Sequence, residues 1–316
     1  MTLTPSSFHE GECAAQERVG VREKMRGVGR HAIRDFMPDQ HRELFTKLPF
    51  VIVSTVDNRG QPWASVLASP PGFIASPTPH ELVISARPLH ADPLVNTLVR
   101  DACIGLLGIE PHTRRRNRMN GIIERITDKG FRVRVNQSFG NCPKYIQARK
   151  PEYVIGNTVA KVHYCKGLDN EAVRRLILRA DTFFIATAYP GDKRDATASA
   201  HGVDVSHRGG KPGFIRVEDD NVFTVPDYAG NQFFNTIGNL LVNPRAGLLF
   251  IDFETGDLLY LAVDVEILWE GEHLKRFRGA QRLLRFRVGA VRYVEASLPL
   301  RWGPMQVSPF LEQLGQ

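Results

Sequence analysis

The residues best suited to bind a charged ligand lie in one short segment, Ser206-His207-Arg208-Gly209. A guanidinium is a planar fork of donors that matches a phosphate or carboxylate, and the Ser206 hydroxyl can donate to the same anion. Gly209 follows the arginine directly, and glycine lets the backbone approach a ligand closely. The segment therefore predicts an anion site. Arg208 could instead form a surface ion pair, and His207 could be a packed side chain.

A second polar group follows as Asp227-Tyr228 and Asn231-Gln232, ahead of a helix-like segment that contains Asn239. Amide side chains, and backbone N–H groups at the start of a helix, can bind the polar parts of a ligand. Asn231 is equally suited to cap the helix, and Asn239 could simply bond to the backbone in a turn. These residues are candidates for the same site.

Composition limits the classes of protein to consider. The 316 residues suggest about two domains, and the net charge of +7 suits an anionic ligand or simply keeps the chain in solution. The four cysteines lack metal-ligand or disulfide spacing, so neither a metal site nor a disulfide framework is expected. No signal peptide or membrane-spanning run is evident, which favours the cytoplasm.

The elements that must position these residues occur twice. A helix followed by an apolar, β-branched strand is predicted near Phe50–Val56 and again near Phe183–Ala188. Pro71-Gly72-Phe73-Ile74 recurs as Pro212-Gly213-Phe214-Ile215, 141 positions later. Asn96-Thr97 recurs as Asn235-Thr236, and Gly105-Leu106-Leu107 recurs as Gly247-Leu248-Leu249. A period this long indicates two copies of a whole domain, each a small β-barrel.

The segments DVSHRGGKPGF, PDYAGN and NLLVNPRAGLLFIDF, with RRRNRMNG and NCPKYIQ in the first half, give the chain a resemblance to a known family. They resemble the pyridoxamine 5′-phosphate oxidase-related proteins, the FMN-binding split barrels. The resemblance implies a mainly β chain with short helices, in which two tandem Greek-key split barrels form a pseudodimer. A flavin would then lie at the interface of the two barrels.

The corresponding domain prediction has four parts. Residues 1–34 form a flexible N-terminal segment, residues 35–150 the first barrel, residues 151–168 a linker and residues 169–316 the second barrel. Residues 141–150 are expected to form a short helix capped by Asn141.

The two copies differ in their polar residues, and the difference places the site. The second copy has His207 and Arg208 where the first has Val66 and Leu67. Only the first copy carries the run Arg114–Arg118. One composite site built from both halves would have this distribution. The predicted cofactor-binding residues are Ser206, His207, Arg208, Gly209, Phe214, Asp227, Tyr228, Asn231, Gln232, Asn239, Arg114 and Arg116.

The function that the resemblance implies is an FMN-dependent oxidoreductase acting on a small molecule, with NADH or NADPH as candidate reductants. The alternative is a protein that binds flavin or haem without turnover. No catalytic acid or base is predicted. Nucleic acid is not expected as a partner, because apolar residues alternate through the basic C-terminal region as in a barrel strand. The chain could act as a monomeric pseudodimer or form a homodimer.

Overall fold

A computed structural model gives the structure of the protein, and it describes residues 6–155, 160–190 and 200–314. Seven α-helices lie in these ranges. They are α1 (Glu10–Arg18), α2 (Arg22–Ala32), α3 (Asp39–Lys47), α4 (Leu94–Thr97), α5 (Glu171–Arg179), α6 (Asn235–Val242) and α7 (Pro309–Gln313). None of the helices in the described ranges is long and apolar enough to cross a membrane.

Strands dominate both halves of the chain. Those of the first half are β1 (Phe50–Val56), β2 (Pro62–Ala68), β3 (Ile74–Ala75), β4 (Glu81–Ile84), β5 (Cys103–Glu110), β6 (Arg115–Thr127), β7 (Gly130–Gly140) and β8 (Pro151–Tyr153). Those of the second half are β9 (Val162–Cys165), β10 (Thr182–Tyr189), β11 (Gly202–Gly209), β12 (Arg216–Val217), β13 (Val222–Tyr228), β14 (Arg245–Ile251), β15 (Leu258–Leu268), β16 (Ala280–Val294) and β17 (Leu300–Trp302).

The two large sheets have the same topology. The first has the strand order β2-β1-β5-β6-β7-β4-β3, and the second has β11-β10-β14-β15-β16-β13-β12, with β9 added beside β16. Corresponding strands thus occupy corresponding places, and all neighbouring strands are antiparallel. This confirms the prediction of a mainly β chain made of two tandem split barrels.

Each half has its own apolar core, and a third core joins them. The joining core combines Ile52 and Val66 of the first half with Phe184, Leu249 and Tyr260 of the second. Burial of this apolar surface holds the halves together, at roughly 25 cal/mol for each Å² removed from water.

Two repeated glycines lie where the halves approach each other closely. A Cβ atom on Gly105 of β5 would lie 2.5 Å from the Val203 carbonyl oxygen of the other half. A Cβ atom on Gly247 of β14 would lie 2.3 Å from the Pro62 carbonyl oxygen. Only glycine fits between backbones this close.

The N-terminal segment is a correction to the sequence-based prediction. Residues 1–5 lie outside the described residues, but most of residues 6–34 forms α1 and α2 and packs on the second half. Phe8 and Met25 join a small apolar cluster with Phe139 and Phe233. Tertiary contacts of this kind order a segment whose composition alone resembles a flexible tail.

Two other predictions, both in the middle of the chain, differ from the structure. Residues 141–150 do not form the expected helix, because Tyr145 takes a left-handed backbone conformation with φ of 66°. The described part of residues 151–168 contributes β8, which pairs with β17, and β9, which pairs with β16. It is therefore more than a connecting linker, and the predicted domain boundaries stay a prediction.

Candidate functional site

A cavity of about 270 Å³ opens between the two halves of the chain. The first half supplies one wall from β6 and from residues 141–145. The second half supplies the other walls from β11, from β13 and the loop after it, from the start of α6, and from β16. The polar side chains that line the cavity are Arg116, Arg118, Asn141, Lys144, Ser206, His207, Arg208, Asp227, Asn231, Gln232, Asn235, Thr236, Gln281 and Arg282.

Positive charge dominates this cavity. Arg116, Arg118, Arg208, Arg282 and Lys144 all line it. Asp227, at the end of β13, is the one carboxylate among the described lining residues. Two of the arginines share it: Arg208 Nη2 lies 3.4 Å from Asp227 Oδ1, and Arg282 Nη1 lies 2.8 Å from Oδ2. A single carboxylate between two guanidinium groups leaves positive charge unbalanced.

Arg118 crosses from the first half to the second. Its side chain is only 3% exposed, and its Nη1 donates to Asp204 Oδ1 on β11 at 2.9 Å. Its Nη2 donates to the Ser206 hydroxyl, which also lies 3.0 Å from Thr236 Oγ1 at the start of α6. The arginine thus holds the polar floor of the cavity in place and connects the two barrels.

Several donors in the cavity wall have no protein acceptor. The Nε atoms of Arg118, Arg208 and Arg282 are buried, and none of them has a hydrogen-bond partner in the described part of the chain. Buried polar groups are nearly always paired, so orphaned donors call for an explanation. An anion in the cavity would supply the missing acceptor.

Electrostatics support an anion in the same place. Burial, together with the nearby charges of Arg208 and Arg118, lowers the pKa of Arg116 to about 9. Burial also lowers the pKa of Arg118 and Arg282, and the carboxylates of Asp204 and Asp227 oppose this only in part. Burial is the largest cause in each case, so these guanidinium groups have lost solvation that favours their charged form, and an anion in the cavity would offset that loss.

His207 is a neutral imidazole in this setting. It is 4% exposed and its ring packs edge-on against Phe184, 5.8 Å away between centroids. Burial, and then the charges of Arg116 and Arg208, hold its pKa well below the usual value. His207 therefore brings a nitrogen lone pair and an N–H group to the cavity, but no charge.

The outer part of the cavity is built from strained backbone and aromatic rings. Tyr145, Gln232 and Phe234 have φ values of 66°, 65° and 63°, which non-glycine residues rarely adopt. The rings of Tyr145 and Tyr228 lie 5.1 Å apart, and the Tyr145 hydroxyl donates to the Ala229 carbonyl at 3.1 Å. Strain of this kind clusters at binding sites, where surrounding contacts hold the backbone in place.

Nine of the twelve residues predicted from the sequence line the cavity. They are Ser206, His207, Arg208, Gly209, Asp227, Tyr228, Asn231, Gln232 and Arg116. Asn231 also accepts a bond from the Phe233 amide at 3.2 Å, so it shapes the turn before α6; it does not cap the helix, whose N-cap is Phe234.

The other three predicted residues lie elsewhere. Phe214 stacks on Phe183 in the core of the second barrel, 6.1 Å between centroids, because β11 and the following turn direct it inward. Arg114 lies one residue before β6 and donates to the carbonyl oxygens of Ile146, Gln306 and Val307.

Asn239 lies one layer behind the cavity wall. Its Nδ2 donates to Thr187 Oγ1 at 3.0 Å and to Asp204 Oδ2 at 2.9 Å. It therefore supports Asp204, the partner of Arg118, and does not line the cavity itself.

Sequence reasoning missed Arg118, Arg282, Lys144, Tyr145 and Thr236. A signal for Arg118 was present, because residues two apart on a strand share a face and Arg116 was already a candidate. Thr236 belongs to the repeated Asn-Thr pair. Arg282 had no such signal, since it lies in a strand whose sequence alternates like any barrel strand.

The equivalent place in the other half lacks counterparts of Arg118, His207 and Arg208. Tyr260 occupies the position of Arg118, and its hydroxyl donates to Asp92 Oδ2 at 2.8 Å. Val66 and Leu67 stand where the second half has His207 and Arg208, and both are fully buried in apolar clusters. The Tyr260–Asp92 pair and apolar side chains fill this place, which matches the asymmetry expected from the two copies.

Comparisons with known proteins address the family. Residues 37–166 match the family model described as pyridoxamine 5′-phosphate oxidase, which confirms the resemblance predicted from the sequence. A search of curated proteins found no match.

Solved structures with some similarity include three bacterial proteins. A FAD-binding protein from Mesorhizobium loti is 12% identical with a TM-score of 0.30, covering 44% of this chain and 100% of its own. HutZ, a haem storage protein from Vibrio cholerae, is 14% identical with a TM-score of 0.29, covering 42% and 97%. A Clostridium acetobutylicum protein of the pyridoxinephosphate oxidase family is 11% identical with a TM-score of 0.29, covering 45% and 94%.

Proposed function

We propose that this protein, whose residues 37–166 match the pyridoxamine 5′-phosphate oxidase family, is an FMN-dependent oxidoreductase with its flavin in the cavity between the two barrels. The observation that carries the proposal is the set of orphaned arginine donors in a cavity built from both halves. A phosphate dianion matches these donors in charge and in hydrogen-bonding capacity.

The phosphate end would be held by the arginine cluster. Arg208 and Arg282 keep their orientation through Asp227, and each retains an Nε–H with no protein acceptor in the described chain. Arg116 adds a further guanidinium, fixed through its Nε, which donates to the Cys142 carbonyl at 2.7 Å. Guanidinium groups already held in place lose little rotamer entropy when they bind an anion.

The ring end would be held by the loop between β13 and α6. Asn231 and Gln232 offer amide groups for the polar edge of a planar ring, and Tyr228 and Tyr145 offer aromatic faces. Gln232 has a left-handed backbone conformation, which persists only where surrounding contacts hold it, so this loop is fixed by its neighbours.

A bound flavin would supply the redox chemistry, accepting or donating a hydride or electrons. The chain's own residues would orient it and exclude water, and His207 would offer an uncharged hydrogen-bonding group beside it. The substrate would be a small molecule, with NADH or NADPH as the candidate reductant. The cytoplasm fits this proposal, since Cys13, Cys142 and Cys165 are free thiols.

A second candidate function is cofactor binding without turnover, with haem as the cofactor. The observation that favours it is the buried neutral imidazole of His207, since neutral histidine is the form that ligates metals. In this case the chain would hold haem and the flavin chemistry would not apply.

The visible absorption spectrum of the purified protein separates the two. Flavin bands support the FMN proposal, whereas a Soret band that disappears in His207→Ala supports haem. If flavin is bound, anaerobic NADH or NADPH should bleach it in an oxidoreductase. If no reductant or substrate reduces the bound flavin, the protein binds flavin without turnover.

Arg208→Ala should weaken FMN binding about 10- to 100-fold, because a hydrogen bond to a charged group contributes about 1.5–3 kcal/mol. Asp227 keeps Arg282 as its partner, so the fold should persist. The dissociation constant can be measured from flavin fluorescence.

The matched control is Arg287→Ala, which removes an exposed arginine from β16 and should change the constant less than about twofold. Equal losses in both variants would contradict the phosphate site.

A further inference from the structure

Helix α1 packs directly on helix α6, which borders the cavity. A Cβ atom on Gly11 would lie 2.2 Å from the Gly238 carbonyl oxygen, and a Cβ atom on Gly238 would lie 2.5 Å from the Glu12 amide nitrogen. Glycines on both helices thus bring the two backbones into contact. This contact places the first turn of α1 beside residues 235–239.

That first turn buries two polar side chains, His9 and Glu12, which are 4% and 2% exposed. They form a reciprocal cap: the His9 amide donates to Glu12 Oε2 at 3.0 Å, and the Gly11 amide donates to His9 Nδ1 at 3.1 Å. Burial of polar groups is unfavourable unless they are hydrogen-bonded, so their remaining partners matter.

Those partners are the two asparagines of α6. Asn235 Nδ2 donates to Glu12 Oε1, and His9 Nε2 lies 2.9 Å from Asn239 Oδ1. Asn235 lines the cavity, and Asn239 bonds to Asp204, the partner of Arg118. A continuous chain of buried hydrogen bonds therefore runs from α1 to the cavity wall.

The charge states fit a fixed polar support. Burial, with the nearby charge of Asp204, raises the pKa of Glu12 well above its usual value, which favours the protonated carboxyl. Burial lowers the pKa of His9 to about 4, so its imidazole is neutral. His9 is therefore a neutral hydrogen-bonding group between the Gly11 amide and Asn239.

We infer that α1 is part of the ligand site, with His9 and Glu12 as positioning residues that hold α6 and the Arg118–Asp204 pair against the bound ligand. The identity of the ligand rests on the proposed function. Ligand affinity would then depend on His9 and Glu12, two side chains that do not touch the ligand.

The first experiment compares Glu12→Ala with Glu17→Ala, an exposed residue on the same helix. FMN binding should weaken about tenfold or more in Glu12→Ala and less than twofold in Glu17→Ala. Glu12→Gln, which keeps an acceptor for the His9 amide, should bind within about threefold of the wild type. Equal binding in folded Glu12→Ala and Glu17→Ala would overturn the inference and leave the flavin proposal intact.

A second experiment needs no variant. Coupling between two sites is reciprocal, so FMN should slow amide hydrogen exchange in α1 of the wild-type protein. Helix α5, whose buried face packs in the core of the second barrel, should not respond. Bound flavin with unchanged exchange in α1 would overturn the inference even if Glu12→Ala failed to fold.

A third measurement uses the ligand-free protein. In Glu12→Ala, residues 235–239 should exchange roughly tenfold faster than in Glu17→Ala, because α6 loses its support. If the wild type binds no flavin, the proposed function fails. This measurement then tests the inference by itself, and equal exchange of residues 235–239 in the two variants would overturn it.

Discussion

Asp92 is a fully buried carboxylic acid in the place that corresponds to the cavity. Its Oδ1 accepts from the Leu94 amide at 2.7 Å, and its Oδ2 accepts from the Tyr260 hydroxyl at 2.8 Å. Burial raises its pKa from the ordinary value of 3.8 to about 6, and these hydrogen bonds counter the rise only in part. Asp92 is thus a residue whose protonation should be visible in the stability of the fold.

The contribution of Asp92 to the free energy of unfolding should fall as the pH rises from about 4 to above 6, whereas that of His9, whose pKa is lowered to about 4, should rise over the same range. The folded state holds the Asp92 proton more tightly than the unfolded chain does. Its contribution is therefore fully present below the unfolded pKa and is lost as the pH passes the folded pKa. The difference between 3.8 and about 6 corresponds to about 3 kcal/mol.

Asp92→Asn should remove this pH dependence, which denaturant unfolding at several pH values would measure. Asp128→Asn, at an exposed position, serves as the control and should keep the wild-type profile. A wild-type profile in Asp92→Asn would assign the pH dependence to other groups.

Some site residues could be predicted one by one, and others could not. Arg208 and Asp227 departed visibly from the other copy, and departures from a shared scaffold are readable in the sequence. Arg114 was predicted from its charge alone. Its side chain satisfies backbone carbonyls because β6 begins one residue later, which sequence does not reveal. Whether each of these side chains lines the cavity depends on contacts with residues distant along the chain.

Among the elements, α1 depends on close backbone contact with α6 for its position. Gly238→Ala should therefore destabilise the protein by about 1–3 kcal/mol, since the new methyl group meets the backbone of Glu12 and cannot be relieved by rotating a side chain. Gly27→Ala, in an open stretch of α2, should stabilise it by up to about 1 kcal/mol. Thermal unfolding of the two variants tests this, and similar melting temperatures would contradict the docking of α1 on α6.

Helix α1 escaped prediction for a physical reason. Helix α1 buries Glu12 and Gln16 as well as Ala15, so its inward face is largely polar. An amphipathic pattern is the main sequence signal for a packed helix, and a polar buried face does not produce one. Strand β1, by contrast, begins and ends at the predicted residues because its apolar run is bounded by turn residues.

At the scale of the molecule, the repeated topology follows from the repeated sequence. Gly105 and Gly247 correspond to each other in the two copies, and both lie where one barrel touches the other. The repeat and its fold were therefore predictable from local patterns. The position of the cavity was predictable only as an asymmetry between the copies, and its depth and full lining depend on how the halves pack.

Gly247→Ala should lower the free energy of unfolding by about 3 kcal/mol, the upper end of the range for overpacking, because Pro62 and Trp63 meet the new methyl group with backbone atoms. Gly289→Ala is the control: it adds the same methyl group to a strand, with its nearest neighbour at 3.6 Å. Its effect should be below about 0.5 kcal/mol. Equal unfolding midpoints in denaturant would contradict the close approach of the barrels.

The covalent connection between the halves determines how the cavity responds to a lower protein concentration. A cavity shared by two separate subunits disappears when their concentration falls below the dissociation constant of the pair. Here Arg118 and Ser206 belong to one polypeptide, so each half meets the other at an effective concentration that a tether keeps in roughly the millimolar range. The cavity should thus persist at nanomolar protein, and the amount of functional site should scale linearly with the amount of chain.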